Sequence, residues 1–347
     1  MVLLLAFLST FASCKKGVTI TVVDDKRCKD CQTQEIIAKL KEEVKDAEIK
    51  VVDYSDSKGK KMFKELSLGR LPAVLFSASI KDHEANGRIG NYLEKKGDQY
   101  LLRIGSQFDP EAEICDNKLD DNGNSRIDCD DDSCKGSWLC MEKREKPSVD
   151  MFVMSHCPYG TQIEKGMIPV MKLLKDKADI KVRFCSYAMH GKKELDEQLG
   201  QYCIQKKYSA KLVPYLECFL EADEGAKCLK KAGIPADGLL ACVKEADKRF
   251  AVTKGFNDRS TWTGNFPGFN VDKELTDKYG VQGSPTLVVN GVQAESGRSP
   301  ADLLAAVCRG FKNPPKECEK QLNNKAPSPG FGWKGEGGGS GGGCGAG

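Results

Sequence analysis

The hydrophobic pattern of the chain begins with a block in which apolar strands alternate with amphipathic helices. The β-branched run 18–23 (VTITVV) predicts a strand, the apolar face from Ile36 to Val44 predicts a helix, and residues 49–52 (IKVV) predict a second strand. A short helix near residues 60–66 then precedes an apolar strand that opens at Pro72. Strand, helix and strand in this order predict a βαβ unit.

A second block repeats this order over a longer stretch of chain. Residues 149–154 (VDMFVM) and 180–184 (IKVRF) predict strands on either side of a helix through Met167, and Pro285 opens a further buried strand. The stretch 192–250 between them has a mostly helical pattern. We therefore expect an α/β chain with two similar domains, the second of which carries a helical insertion.

Composition narrows the class of protein. The chain has 347 residues, 40% hydrophobic and 30% charged, which is typical of a soluble globular protein. Its 53 Lys and Arg residues nearly balance 50 Asp and Glu residues, so no excess of positive charge points to nucleic acid as a partner. Sixteen cysteines beside three histidines favour an exported protein, because a reducing cytosol rarely holds so many.

The N-terminal segment, residues 1–14, agrees with export. An apolar run over residues 2–13 is too short to span a bilayer and ends at Cys14. The string Phe11-Ala12-Ser13-Cys14 resembles a bacterial lipobox, which implies a diacylglyceryl group on Cys14 and a lipid anchor in the cell envelope of a bacterium. A plain secretory signal is the alternative.

Cysteines and prolines stand at matching places in the two blocks. Cys28 and Cys31 follow the first strand of block one, Cys157 follows the first strand of block two, and Pro72 and Pro285 open later strands. Both blocks thereby resemble the thioredoxin-like superfamily, with domains at 15–108 and 148–318. The resemblance implies cysteines at the start of a helix, a cis-proline loop that faces them and contacts substrate, and no cofactor for the redox chemistry.

The cysteine pair of block one is the first candidate for catalysis. A helix start favours the thiolate form of a cysteine, and Lys26, Arg27 and Lys29 would add positive charge around Cys28. We expect Cys28 to attack a disulfide and Cys31 to resolve it, with most activity lost in Cys28→Ser. Zinc is a poor alternative, because His83 is the only other candidate ligand between residues 17 and 108. A non-catalytic disulfide stays open.

Block two departs from the cysteine-pair pattern. Gly160 stands where a second cysteine would be, so we expect Cys157 to be a single thiol whose loss costs less activity. The block resembles DsbA-type thiol oxidoreductases, and Met189-His190-Gly191 followed by Cys203 is similar to lysosomal thiol reductases of the GILT type. Cys185 either pairs with Cys157 or is a buried free thiol. Elsewhere we expect the pairs Cys203–Cys218, Cys228–Cys242 and Cys308–Cys318.

An Asp- and Cys-rich segment, residues 109–147, joins the two blocks. Its candidate metal ligands occupy positions 1, 3, 5, 9 and 12 of a loop similar to an EF-hand and to Asp-rich motifs of secreted bacterial proteins: Asp120, Asn122, Asn124, Asp128 and Asp131. These oxygen ligands predict calcium. The alternative is an acidic linker held by disulfides among Cys115, Cys129, Cys134 and Cys140.

The C-terminal tail, residues 319–347, is rich in glycine and predicts no packed core. Its Cys344 is either an unpaired thiol or a tether to another molecule. Together these features predict an exported, lipid-anchored thiol–disulfide oxidoreductase that acts on protein or small-molecule disulfides. The alternative is a redox-inactive, thioredoxin-like scaffold lipoprotein with a calcium-stabilised linker.

Overall fold

The computed structural model describes residues 17–29, 31–333 and 344–345, so the predicted lipidation at Cys14 lies outside the described residues. The chain forms two compact units. Unit 1 contains residues up to Ile114 and Asp120–Ser125, and unit 2 contains Cys115–Leu119 and the chain from Arg126 onward. In the described ranges no helix combines the length and apolar character that a bilayer-spanning helix needs.

Unit 1 is built on a five-stranded sheet with the strand order β2-β1-β3-β5-β4. β1 is parallel to β2 and antiparallel to β3. In chain order its elements are β1 (Thr19–Asp24), α1 (Thr33–Glu43), β2 (Glu48–Asp53), α2 (Ser57–Glu65), β3 (Ala73–Ser77), α3 (Asn86–Ile89), β4 (Leu93–Lys96) and β5 (Gln99–Leu102).

The alternation of side chains along β1 gives unit 1 a core on each face of its sheet. Ile20 and Val22 pack in one cluster with Ile37 of α1. Val23 points to the opposite face and packs in a second cluster with Phe63 of α2. Successive residues of a strand face opposite sides, so one β-branched run supplies both cores.

Unit 2 is built on a four-stranded sheet with the order β10-β9-β6-β7, in which β6 is parallel to β7 and antiparallel to β9. A separate two-stranded ladder joins β8 and β11. The elements are β6 (Ser148–Val153), α4 (Pro158–Leu174), β7 (Asp179–Phe184), α5 (Lys192–Lys207), α6 (Leu212–Ala222), α7 (Gly225–Lys231), α8 (Ala236–Phe250), α9 (Val252–Asn257), α10 (Lys273–Tyr279), β8 (Gly283–Ser284), β9 (Thr286–Val289), β10 (Val292–Gln293), α11 (Pro300–Arg309) and β11 (Cys344–Gly345).

The central strand of unit 2 leads directly to the candidate chemistry. Met151 packs with Met167 of α4 in the main core, while Phe152, on the other face, packs in the cluster that contains Cys157. Only four residues separate the end of β6 from the start of α4, and Cys157 is the last of them. The α/β fold class with a helical insertion, α5 to α8, is confirmed.

Two of the expected disulfides in the insertion are wrong. The structure pairs Cys203 with Cys242, which joins α5 to α8, and Cys218 with Cys228, which joins α6 to α7. The expected pairs assumed that each helix is tied to the next along the chain, whereas α5 packs against α8. The bridge Cys308–Cys318 is confirmed.

Candidate redox sites

Cys157 lies at the start of a helix. It is the N-cap residue of α4, and the backbone N–H of Gly160 donates to its Sγ at 3.4 Å. Pro158 occupies the first helical position, where its missing N–H leaves nothing unpaired. The free N–H groups and dipole of a helix start stabilise negative charge, so this place favours a thiolate when Cys157 is reduced.

The partner of Cys157 is Cys344, 187 residues further along the chain. The expectation of a single thiol at Cys157 is therefore wrong, as are both alternatives for Cys344. β11 pairs antiparallel with β8, which places Cys344 opposite Ser284. The residue that sequence reasoning left undecided thus completes the site, and its only signal was an unassigned cysteine at the C-terminus.

Cys185 is the free cysteine among the described residues, so the alternative in which it pairs with Cys157 is also wrong. It lies in the same apolar cluster as Cys157 and is 1% exposed. Burial, together with the charge of Glu194, raises the pKa of the Cys185 thiol to about 12. Cys185 is therefore protonated and unreactive near neutral pH.

The loop before Pro285 forms the wall opposite Cys157. The Ser284–Pro285 peptide bond is cis, and the Ser284 carbonyl oxygen lies 3.6 Å from Cys157 Sγ. The backbone N–H of Met154 donates to Ser284 Oγ at 2.9 Å. A Cβ atom at Gly160 would lie 2.7 Å from both Met154 O and Ser284 Oγ, so this packing leaves no room for a second cysteine at position 160 unless the backbone shifts.

The residue before Cys157 is a buried histidine. His156 Nε2 lies 2.9 Å from Asp223 Oδ1, and its Nδ1 lies 3.0 Å from Ser155 Oγ. Burial lowers the pKa of His156, although Asp223 acts in the opposite direction. The ring packs edge-on against Phe219 and Phe331. The imidazole of the residue next to Cys157 is thus held in place from several sides.

Glu164 in α4 and Glu197 in α5 are carboxyl groups with raised pKa values. Glu164 of α4 is fully buried, and neither of its carboxyl oxygens has a hydrogen-bond partner among the described residues. Burial raises the pKa of Glu164 to about 8, and Glu197 adds to the shift. Burial also raises the pKa of Glu197 to about 7, against hydrogen bonds from Gln201 and Tyr215. Both were missed from sequence; for Glu164, the available signal was an acid within the largely buried helix α4.

Part of the tail is ordered against this site, contrary to the expectation of a tail without packing. The Gly330 N–H donates to the Pro158 carbonyl at 2.9 Å, and the Gly332 N–H donates to the Leu220 carbonyl at 2.8 Å. Lys165, which is 1% exposed, donates from Nζ to the carbonyls of Gly330 and Gly332, both at 2.8 Å. We call residues 327–333 the anchor.

In unit 1, Cys28 and Cys31 form a disulfide and are both partly exposed. Helix α1 begins at Thr33, with Gln32 as its N-cap, so both cysteines precede the helix start. The Leu71–Pro72 bond is cis, and Cys31 Sγ lies 3.9 Å from the Leu71 carbonyl oxygen. The pair thus faces a proline loop, as Cys157 does in unit 2.

The charge around Cys28 differs from the expectation. The Arg27 guanidinium lies 2.7 Å from the carboxylates of both Asp25 and Asp121. The hydrogen bond to Asp25 is the main reason that the pKa of Arg27 is raised. Because two carboxylates neutralise this cation, Arg27 supplies little net positive charge to Cys28.

The predicted calcium ligands organise backbone turns. In unit 1, the Asp120 carboxylate accepts the N–H groups of residues 123, 124 and 125, and Asn122 Oδ1 accepts the N–H of Asn124. In unit 2, Asp128 accepts the N–H groups of residues 117 and 118, and Asp131 accepts from Ser133. The carboxylate and amide oxygens are of the type that calcium takes, and calcium binding stays a prediction.

The cysteines of this segment are linked as Cys115–Cys134 and Cys129–Cys140. Within the described ranges, one cluster of three potential ligands from His, Cys, Asp and Glu was found: Cys115, Cys134 and Cys140. Disulfide sulfurs are not thiolate ligands, so this cluster carries no metal.

No family model matches the chain, and no curated protein matches it in sequence. Among solved structures, reduced DsbA from Mycobacterium tuberculosis is similar at 14% identity and a TM-score of 0.36, covering 50% of this chain and 86% of that one. BdbD from Bacillus subtilis is similar at 17% identity and 0.35, covering 52% and 95%. DsbA from Pseudomonas aeruginosa is similar at 18% identity and 0.29, covering 46% and 79%.

Proposed function

We propose that the protein is an exported thiol–disulfide oxidoreductase whose principal reactive group is Cys157. The observation that carries this proposal is the position of Cys157: it caps α4, accepts the Gly160 N–H at 3.4 Å and is joined to another cysteine. A sulfur in this place is a good leaving group from a disulfide and is ionised more easily as a thiol.

The reaction is thiol–disulfide exchange with protein or small-molecule substrates. The Cys157 thiolate attacks a substrate disulfide, forms a mixed disulfide and releases the other substrate sulfur as a thiolate; the reverse sequence oxidises a substrate dithiol. The residues around Pro285 would contact the substrate. Cys28 and Cys31 supply a second exchangeable disulfide, with the loop at Pro72 beside it.

Export is supported by the seven disulfides among the described residues, since such a number persists in an oxidising compartment. We place the protein in a bacterial cell envelope, with a lipid on Cys14 as its membrane contact. Cys14→Ser should move the protein from the membrane fraction to the soluble fraction. Equal release of the wild type would contradict the lipid anchor.

The proposed activity is tested by reduction of insulin in the presence of dithiothreitol. The wild type should accelerate the reaction, and the double variant Cys28→Ser/Cys157→Ser should return the rate to that of dithiothreitol alone. A wild type that gives no acceleration would favour the scaffold alternative, in which the disulfides at Cys157 and at Cys28 are structural.

A further inference from the structure

The Cys157 site has no local partner cysteine, yet the chain brings one to it. Cys344 forms the disulfide with Cys157, and β11 adds as an antiparallel strand to β8, beside Pro285. Cys344 also packs against the apolar cluster around Cys157. Cys344 is thus held at Cys157 in three ways: by the disulfide, by backbone pairing with β8 and by apolar packing.

The anchor holds the chain that precedes Cys344 against α4. Lys165 is almost fully buried. Its ammonium group donates hydrogen bonds to three acceptors in the anchor: the carbonyls of Gly330 and Gly332 and, at 3.4 Å, Ser328 Oγ. A buried ammonium is costly without such partners, so the anchor belongs to the packed structure. The Gly330 N–H donates a hydrogen bond to the carbonyl of Pro158, the residue after Cys157, so the anchor contacts the start of α4.

The length of chain between anchor and Cys344 suits a return to the same site. Residues 334–343 separate them, and ten residues span at most about 35 Å. Since the anchor already lies beside Cys157, only a fraction of this reach is needed. Since Cys344 belongs to the same chain, its attack on Cys157 is an intramolecular step that needs no encounter with a second molecule.

We infer that Cys344 is the resolving cysteine of Cys157, supplied by the anchored tail in place of the cysteine that position 160 cannot hold. This inference rests on the proposed function. The Cys157 thiolate attacks a substrate disulfide, forms a mixed disulfide with one sulfur and releases the other as a thiolate. The Cys344 thiolate then attacks Cys157 Sγ, releases the remaining substrate thiolate and forms the Cys157–Cys344 disulfide. Two electrons pass to the substrate, and an external dithiol reduces the cysteine pair again.

The test uses the full chain with Cys28→Ser and Cys31→Ser. Limiting dithiothreitol reduces the Cys157–Cys344 disulfide, and peptide mass mapping checks that the other disulfides are intact. The probe is 5,5′-dithiobis(2-nitrobenzoate). This parent should release two nitrothiobenzoate equivalents and end with the Cys157–Cys344 disulfide. Adding Cys344→Ser should leave one equivalent and a stable adduct on Cys157, whereas adding Cys185→Ala should change nothing.

The outcomes separate the two proposals. A parent that keeps the adduct on Cys157, or a Cys344→Ser variant that still releases two equivalents without an adduct, would overturn the role of Cys344 and leave Cys157 as a reactive thiol. A Cys157 that does not react in the native reduced protein would overturn the proposed function, and the resolving role with it.

Discussion

The two cysteine sites have similar surroundings but differ in the distance to the disulfide partner along the chain and in the position of the cysteine relative to the helix start. In each unit a buried strand is followed by a cysteine, and a carbonyl before a proline lies within 4 Å of a sulfur. In unit 1 the disulfide partner is three residues away and the helix starts later. In unit 2 the cysteine caps the helix and its partner is 187 residues away.

A cysteine-pair motif usually combines a nearby disulfide partner with a helix start that stabilises the thiolate. Here each unit has only one of these two properties. A nearby partner allows the disulfide of unit 1 to reform from local chain alone. A helix start stabilises the thiolate of Cys157, while its partner arrives only through the docking of the tail. We therefore expect unit 2 to contain the stronger nucleophile, and the order of the mutational losses to be the opposite of that predicted from sequence.

The sharpest test of this comparison is the loss of activity in single variants. Cys157→Ser should lower the rate of insulin reduction about tenfold or more, because stabilisation of a charge by a helix start is worth up to roughly 2 kcal/mol and Cys28 lacks it. Cys28→Ser should cost less. Activity that survives Cys157→Ser but vanishes in Cys28→Ser would place the chemistry in unit 1.

A second measurement compares the two thiols directly. Cys344→Ser frees Cys157, and Cys31→Ser frees Cys28. Alkylation by iodoacetamide near neutral pH, followed by peptide mass spectrometry, should be faster at Cys157 than at Cys28, since the thiolate is the reactive form and a helix start favours it. Cys185 is the internal control and should stay unlabelled near neutral pH. Equal rates would remove the proposed advantage of the helix start.

Stability should also depend on pH through unit 2. The pKa of Glu164 is raised from 4.5 to about 8 by burial, so the folded state holds this proton more tightly than the unfolded state. The contribution of Glu164 to stability is then greatest below about pH 4.5 and is lost as the pH rises toward 8. We expect the melting temperature to drop by several degrees between pH 5 and pH 8.

Glu164→Gln should flatten this pH dependence, because the amide cannot ionise. Glu35→Gln, at an exposed acid of α1 in unit 1, is the matched control and should leave the dependence as it is. A wild-type melting temperature that rises from pH 5 to pH 8 would contradict the assignment.

The smallest expected effect concerns the acidic segment. Calcium at millimolar concentration should slow proteolysis of residues 113–140, because a cation neutralises carboxylates that otherwise repel one another. Asp120→Ala and Asp128→Ala should abolish the protection. Asp120→Asn keeps an acceptor for the turn at residues 123–125 but removes the charge, so it separates calcium binding from folding of the turn. Calorimetry without a calcium signal would leave only the acidic linker.

Local residue patterns are enough to predict the strands and helices and their order along the chain. The β-branched run near Ile20 and the apolar spacing of α1 dictate a strand and a helix, because their periods of 2 and 3.6 residues are set by backbone geometry. The placement of Cys157 directly before Pro158 is equally local, since proline is suited to the first turn of a helix.

Contacts between groups that are distant along the chain follow from the tertiary structure alone. Cys344, the anchor on Lys165, the pairing of Cys203 with Cys242 and the neutralisation of Arg27 all depend on contacts far apart along the chain. Residue type and spacing do not encode such contacts, because helix packing and the path of the tail follow from the combined burial of many side chains. Sequence could therefore single out Cys157 as a candidate reactive cysteine, but its disulfide partner follows only from the packed chain.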